Sequence, residues 1–236
     1  MFSEALRILD RNTAELMVDR MKDEMDKLKV QKGKLEAQNG ELEAQNEALK
    51  SSFKEKDAEI ESFYKWSGGG RIPIFCDTTS CTHTLLFENG GDILTPENRE
   101  KYKQLKIMDI TQWLKEVVLP RIKVIRPKNR ILLHPTCSCQ IMGLTPVLLD
   151  IARKCAREVI LPDNWGCCGA SGDRGFIFPE LSDSATRDER DEIGHESFDG
   201  CYSLARTCEI AMQDHIEQPY ESIVYLVDET IQDQGT

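Results

Sequence analysis

From Ala14 to Ile60 the apolar residues fall in two interleaved series. Ala14, Met21, Leu28, Leu35, Leu42 and Leu49 recur every seven positions, and Val18, Met25, Phe53 and Ile60 form a second series offset by four. Such a narrow apolar stripe with charged residues around it is the seam of a coiled-coil helix. Leu35-Glu-Ala-Gln-Asn-Gly-Glu is followed by Leu42-Glu-Ala-Gln-Asn-Glu-Ala, an internal seven-residue repeat. Lys32, Asn39 and Asn46 occupy the second series at its centre. Polar residues there weaken the seam but favour a defined register and two strands. Gly33 and Gly40 each cost about 1 kcal/mol relative to alanine in a helix. The pattern predicts a helical extension over residues 1–66 that pairs in parallel with a second copy. The competing reading is a solvated single helix, although a helix of this composition gains little without a partner surface. Ser67-Gly68-Gly69-Gly70 reads as a flexible linker.

Beyond Gly70 the periodicity shortens and alternates, over a stretch of about 166 residues that can bury a sizeable core. Strands are predicted at Ile72 to Cys76, Leu105 to Met108, Arg130 to His134, Glu158 to Pro162 and Ser222 to Val227. Helical spacing runs from Ile110 to Leu119, and from Thr145-Pro146 through Leu148, Leu149, Ala152, Cys155 and Ala156. Further helices are predicted around Ser182 to Glu192 and Ser203 to Ile216. Strand–helix–strand repetition implies an α/β fold, a mainly parallel sheet flanked by helices. Residues 71–236 then form one domain whose site lies at the carboxyl ends of the strands. Cys76, Cys137 and Cys167 all sit at or just after such ends.

Charge and composition narrow the function. A net charge of -11 argues against nucleic acid or an anionic membrane as the main partner. No apolar run approaches the roughly 18 residues of a membrane span. Met1 to Asp10 lack the apolar block of a secretory signal, so a cytoplasmic protein is expected. Nine cysteines in a reducing compartment point to metal binding or redox chemistry rather than disulfides.

The cysteines cluster around Trp165-Gly166-Cys167-Cys168-Gly169-Ala170-Ser171-Gly172. Neighbouring side chains on an extended segment point to opposite faces, so bringing both thiols to one place requires a turn. Gly169 permits that turn and a close approach to its backbone, whose N–H groups can donate to a negatively charged sulfur centre. The alternative is a tight loop with two buried thiols. With Cys137 and Cys208, Cys167 and Cys168 make four thiols, the set required by tetrahedral zinc or an iron–sulfur cluster. Other residues read more plainly. Cys155 lies on an apolar helix face as an inert thiol, and Cys139 and Cys76 are candidate ligands for which a structural thiol is the leading reading. His134 and His83 stand near candidate ligands, with a satisfied structural histidine as the leading reading for both. Gly169, Gly172 and Gly175 recur every three residues, but no Gly-Lys-Ser/Thr follows, so this is not a phosphate loop. Asp173 and Arg174 are expected to pair or cap locally.

Three segments together resemble a known family: His134-Pro-Thr-Cys137, Asn164-Trp-Gly-Cys-Cys-Gly-Ala-Ser-Gly-Asp-Arg-Gly-Phe-Ile-Phe-Pro-Glu-Leu181 and Ala205-Arg-Thr-Cys-Glu209. They resemble the cysteine-rich CCG domain of heterodisulfide reductases and of glycolate oxidase iron–sulfur proteins. The stretch from Arg71 to Thr230, including Phe75-Cys-Asp-Thr-Thr-Ser-Cys-Thr-His-Thr-Leu85, is most similar to the C-terminal end of large FAD-linked, iron–sulfur D-lactate dehydrogenases. The resemblance implies Cys137, Cys167, Cys168 and Cys208 as metal ligands, Gly169 as part of the cofactor turn, and Cys81 as a fifth ligand from a degenerate half-repeat. Ala205 stands where the family has a further cysteine, and Cys201 is the substitute to consider. The FAD-binding domain has no counterpart here, and without a flavin nothing takes a hydride from lactate. The implied role is an electron-relay module served by a flavoprotein partner. Its alternatives are a structural zinc-thiolate module with an oligomerising coil, or a join of two partial genes without function as a unit. Separately, Glu4 to Met21 resembles the C-terminal tails of transposase-like PD-(D/E)XK nuclease proteins over about twenty residues. No nuclease core precedes that segment, so it carries no activity over.

Overall fold

The structure, a computed structural model, describes residues 4–88 and 93–231. The chain divides into two compact units, Met1–Lys56 and Asp57–Thr236. Helix α1 spans Glu4–Trp66. In the first unit the seam stays uncovered, from 51% exposed at Leu49 to 64% at Met21. The side chains of Ala14 and Val18 lie outside the described residues.

The second unit begins inside α1, ahead of the Gly/Ser stretch where the sequence places the boundary. The reason is Ile60, the last apolar residue of the second series, which is fully buried in the α/β unit. Asp57 anchors the same turn, accepting from Thr95 N–H at 3.0 Å and Thr95 Oγ1 at 3.1 Å. Residues 67–70 are an ordered helix terminus rather than a tether. Gly70 N–H donates to the buried Ser67 Oγ at 2.9 Å, and Ile72 N–H to Ser67 O at 2.9 Å.

Among the described residues, the α/β unit contains six short strands, all parallel to their neighbours. β1 (Ile74–Cys76) pairs with β2 (Ile107–Asp109). β3 (Lys128–Leu133), β4 (Ala156–Ile160), β5 (Gly200–Ser203) and β6 (Tyr220–Ser222) form the main sheet in the order β4-β3-β5-β6. The connecting helices are α2 (Thr79–His83), α3 (Pro96–Gln104), α4 (Ile110–Trp113), α5 (Cys137–Ile141), α6 (Thr145–Cys155), α7 (Arg174–Ile177), α8 (Pro179–Ile193), α9 (Arg206–Ile216) and α10 (Ile223–Ile231). α2 continues as a π turn over Thr84–Glu88, and α4 as a π turn over Leu114–Val118 and a 3-10 turn over Leu119–Arg121.

Alternation along the central strands divides the core in two. Ile131, Leu133 and Tyr202 pack with Leu148, Ile151, Ile223 and Leu226. Leu132, Cys201 and Tyr220 pack with Ile193, Met212 and Ile216. β3 is buried on both faces, which explains its unbroken Ile-Leu-Leu run.

Two elements differ from the sequence pattern. Residues 223–231 form a helix, not the closing strand expected at Ser222 to Val227, which ends as β6 at Ser222. Ile223, Leu226, Val227 and Thr230 are buried at helical spacing, so packing against the sheet overrides the β propensity of Ile-Val-Tyr. β5 was hidden within a Gly-Cys-Tyr-Ser stretch too short to show a period, and the following helix starts at Arg206 rather than Ser203. Among the described residues, no helix is long and apolar enough to cross a membrane.

Candidate functional site: a row of four thiols

Three loops at the carboxyl ends of β3, β4 and β5 carry the site. After β3, Thr136 caps α5 by accepting from Cys139 N–H at 3.2 Å, which puts Cys137 in the first turn. After β4, the carboxylate of Glu192 on α8 accepts from Asp163 N–H (2.7 Å), Asn164 N–H (2.8 Å) and Asn164 Nδ2 (3.0 Å). These bonds hold Glu192 below the usual carboxylate range and fasten the loop that leads to Cys167. After β5, Cys208 stands in the first turn of α9.

These loops bring Cys137, Cys167, Cys168 and Cys208 into one row. Cys137 contacts Cys167, Cys167 contacts Cys168, and the Cys168 thiol donates to Cys208 Sγ at 3.0 Å. Cys137 and Cys167 are exposed, whereas Cys168 and Cys208 are buried. Gly169 N–H donates to Cys167 Sγ at 3.4 Å, and the backbone at Ala170 hydrogen-bonds Cys168. Crowding nonetheless works against ionisation. The hydrogen bond with Cys167 pulls the Cys168 thiol down, but the bond to Cys208 and burial outweigh it and push it up to about 12. Contact with Cys168, then burial, raises Cys167, and burial raises Cys137. Such thiols are neutral at physiological pH unless a cation binds them. Among the described residues, no group of three or more His, Cys, Asp or Glu side chains is placed so that it could hold a metal ion. The four thiols form a row whose donor chemistry suits a thiophilic metal centre.

Gly169 leaves no room for a side chain. A Cβ there meets Leu181 O and Ser182 Cα at 2.7 Å, so the approaching group is the start of α8. Gly175 fits against the same turn, with its N–H donating to Ala170 O at 2.8 Å.

The remaining candidates lie outside the row. Cys81 is exposed on α2, where its thiol neighbour is Cys76, and it forms no hydrogen bond with the four. Ala205 is buried at the N-cap of α9. Cys201 faces Gln218 Oε1 at 4.0 Å from within β5, and burial pushes its thiol up to about 12. Cys139 and Cys155 are buried in the apolar cluster around Leu148. His83 stacks on Phe87 with ring centroids 5.0 Å apart. Asp173 occupies the N-cap of α7 without a side-chain cap bond.

Glu189 and Tyr220 escaped sequence reasoning. His134 is fully buried and its Nδ1 meets Glu189 Oε2 at 2.9 Å, with the Tyr220 ring edge-on. Glu189 sits in an acidic helix that reads as solvated. The available signal was its phase, since Ser182, Thr186, Glu189 and Ile193 form the buried stripe of α8. His134 Nε2, Ser182 Oγ and Tyr220 Oη lack hydrogen-bond partners.

No family model matches the chain, and no curated protein matches it either.

Proposed function

We propose that the α/β unit is an electron-relay module in which Cys137, Cys167, Cys168 and Cys208 hold an iron–sulfur cluster. The observation that carries this reading is the convergence of four thiols from three distant segments, each of which follows a parallel strand. It agrees with the resemblance to the CCG domain of FAD-linked D-lactate dehydrogenases. A cluster, when bound, supplies reversible electron transfer. The chain's own residues supply the rest. The four cysteines give up their protons on loading, so occupancy rises with pH. The N–H of Gly169 and the backbone at Ala170 offset the charge on Cys167 and Cys168.

A flavoprotein that contributes FAD is the proposed partner. Phe176, Ile177, Phe178 and Leu181 are exposed next to the Gly169 turn. Three consecutive exposed apolar residues are unusual on a surface without a partner. A second copy is the proposed partner of the uncovered α1 seam, with Asn39 and Asn46 setting a parallel register. The proposed setting is the cytoplasm.

Zinc is the second reading. With Cys81 and Cys201 outside the row, the thiols number four, a set that serves one tetrahedral ion as well as a cluster. Anaerobic titration with chemically reduced flavin separates the two. Bleaching of a visible band and its return on reoxidation support electron relay, while a colourless protein that accepts no electrons overturns it.

A further inference from the structure

A cleft of about 750 Å³ opens between the irregular end of α4 and the last turns of α6, and shares no residue with the thiol row. Its floor is apolar: Leu119, Ile122 and Val124 are half-buried against the core, beside Pro120. Its rim is cationic, with Lys115, Lys123, Arg153 and Lys154 around one carboxylate, Asp150. Lys115 is already committed to Asp150 at 2.6 Å. Among the described residues, Lys123, Arg153 and Lys154 have no carboxylate within ion-pair distance. Three cations outside any close ion pair, of which Arg153 and Lys154 also act on Asp150 through charge, line an apolar floor on a chain of net charge -11.

Helix chemistry accounts for only part of this. Arg153 and Lys154 lie in the last turn of α6, where cations complement the helix dipole. Lys123 comes from another segment, and the dipole does not explain the floor. The walls are also built rather than loose. The π turn over Leu114–Val118 moves Lys115 and Leu119 out of regular helical phase, and such turns concentrate at functional sites. Arg121 folds back to donate to Val117 O, away from the rim. Ile125 N–H and Arg126 N–H both donate to Thr230 O, at 2.9 and 3.1 Å, which pins the segment carrying Lys123.

We propose that this cleft binds a small amphiphilic carboxylate, its head group met by Lys123, Arg153 and Lys154 and its aliphatic body laid on Leu119, Ile122 and Val124. The volume falls in the range of small-molecule sites, roughly 300–1,000 Å³. A planar guanidinium matches a carboxylate in two parallel hydrogen bonds. An inorganic anion leaves the floor unused, and a polyanion meets repulsion from the rest of the chain.

The test is calorimetric titration of the full chain with decanoate, alongside decanol and inorganic phosphate. Arg153→Gln and Lys123→Gln change exposed side chains, and melting curves check that both variants fold. Saturable one-site binding of decanoate is expected, weakened roughly tenfold or more in Arg153→Gln. Decanol and phosphate are each expected to bind more weakly than decanoate. No saturation below about 1 mM, unchanged affinity in both variants, or equal binding of decanol or phosphate overturns the proposal. Metal loading of the thiol row does not enter the readout, so this proposal and the electron-relay reading fail separately.

Discussion

Replacing Gly169, Gly172 and Gly175 one at a time with alanine separates two costs at the cysteine turn. Gly169 and Gly172 share a φ of +74°, a left-handed conformation, but only Gly169 is crowded. At Gly172 the new Cβ meets nothing within 4 Å, so Gly172→Ala bears only the backbone cost, about 1–2 kcal/mol. At Gly169 the Cβ lies 2.7 Å from Leu181 O and Ser182 Cα, both backbone atoms of α8 that cannot rotate away. Overpacking adds about 1–3 kcal/mol, for a total near 2–5 kcal/mol. Gly175 has no positive φ, but its Cβ lies 2.6 Å from Ser182 Oγ and 2.7 Å from Ala170 Cα. Gly175→Ala therefore bears the steric cost alone, about 1–3 kcal/mol. Urea melts followed by circular dichroism measure each loss. Ser182→Ala removes the clashing oxygen, so in a double-mutant cycle it recovers about 0.5 kcal/mol or more of the Gly175→Ala loss. If Gly169→Ala costs no more than Gly172→Ala, the close approach of α8 is not a feature of the folded protein.

Three further outcomes are expected. Glu192→Gln loses only about 1 kcal/mol of stability at neutral pH, because solvent screens the exposed carboxylate. Because the native pKa of Glu192 lies below 4.5, its contribution is present above that value and disappears as pH falls through the native pKa. Urea midpoints of the two proteins should therefore converge in acid and diverge toward neutrality. Asn39→Leu together with Asn46→Leu should raise the melting temperature and broaden the oligomer distribution in sedimentation, because buried asparagine specifies two strands at a cost in stability. A single sharp dimer in both proteins, with equal melting temperatures, contradicts the role of Asn39 and Asn46 in setting the seam's register. In metal-free protein Cys168 should alkylate far more slowly than exposed Cys81 at pH 7, and its rate should climb about tenfold per pH unit toward its raised pKa. Peptide mass spectrometry after timed iodoacetamide treatment measures both rates.

Elements with a full period were legible in the sequence, and elements shaped by tertiary packing were not. α6 declared itself through Leu148, Ala152 and Cys155, which are all buried. β3 declared itself through Ile131 to Leu133. α10 did not, because a five-residue apolar run with β-branched residues reads equally as strand or buried helix. The four thiols could be grouped from residue type, strand ends and the Gly169 turn. Nothing local could show that Cys81 would turn to Cys76, or Cys201 to Gln218, since both depend on how helices and strands pack. Ser67 to Gly70 looked like a tether from composition. Ile60, buried in the α/β unit, fixes the preceding turn and makes the glycines a helix terminus. Glu189 was invisible for the opposite reason, a charged residue buried against His134 by the phase of α8.

The most direct measurement is iron, acid-labile sulfide and zinc per chain, on protein purified without oxygen. Wild type is compared with Cys167→Ser, Cys208→Ser and Cys81→Ser. Iron and sulfide in matching amounts, lost from the first two variants and retained in Cys81→Ser, is the expected result. Zinc without sulfide, no metal after reconstitution, or full iron in Cys208→Ser contradicts a cluster held by the thiol row.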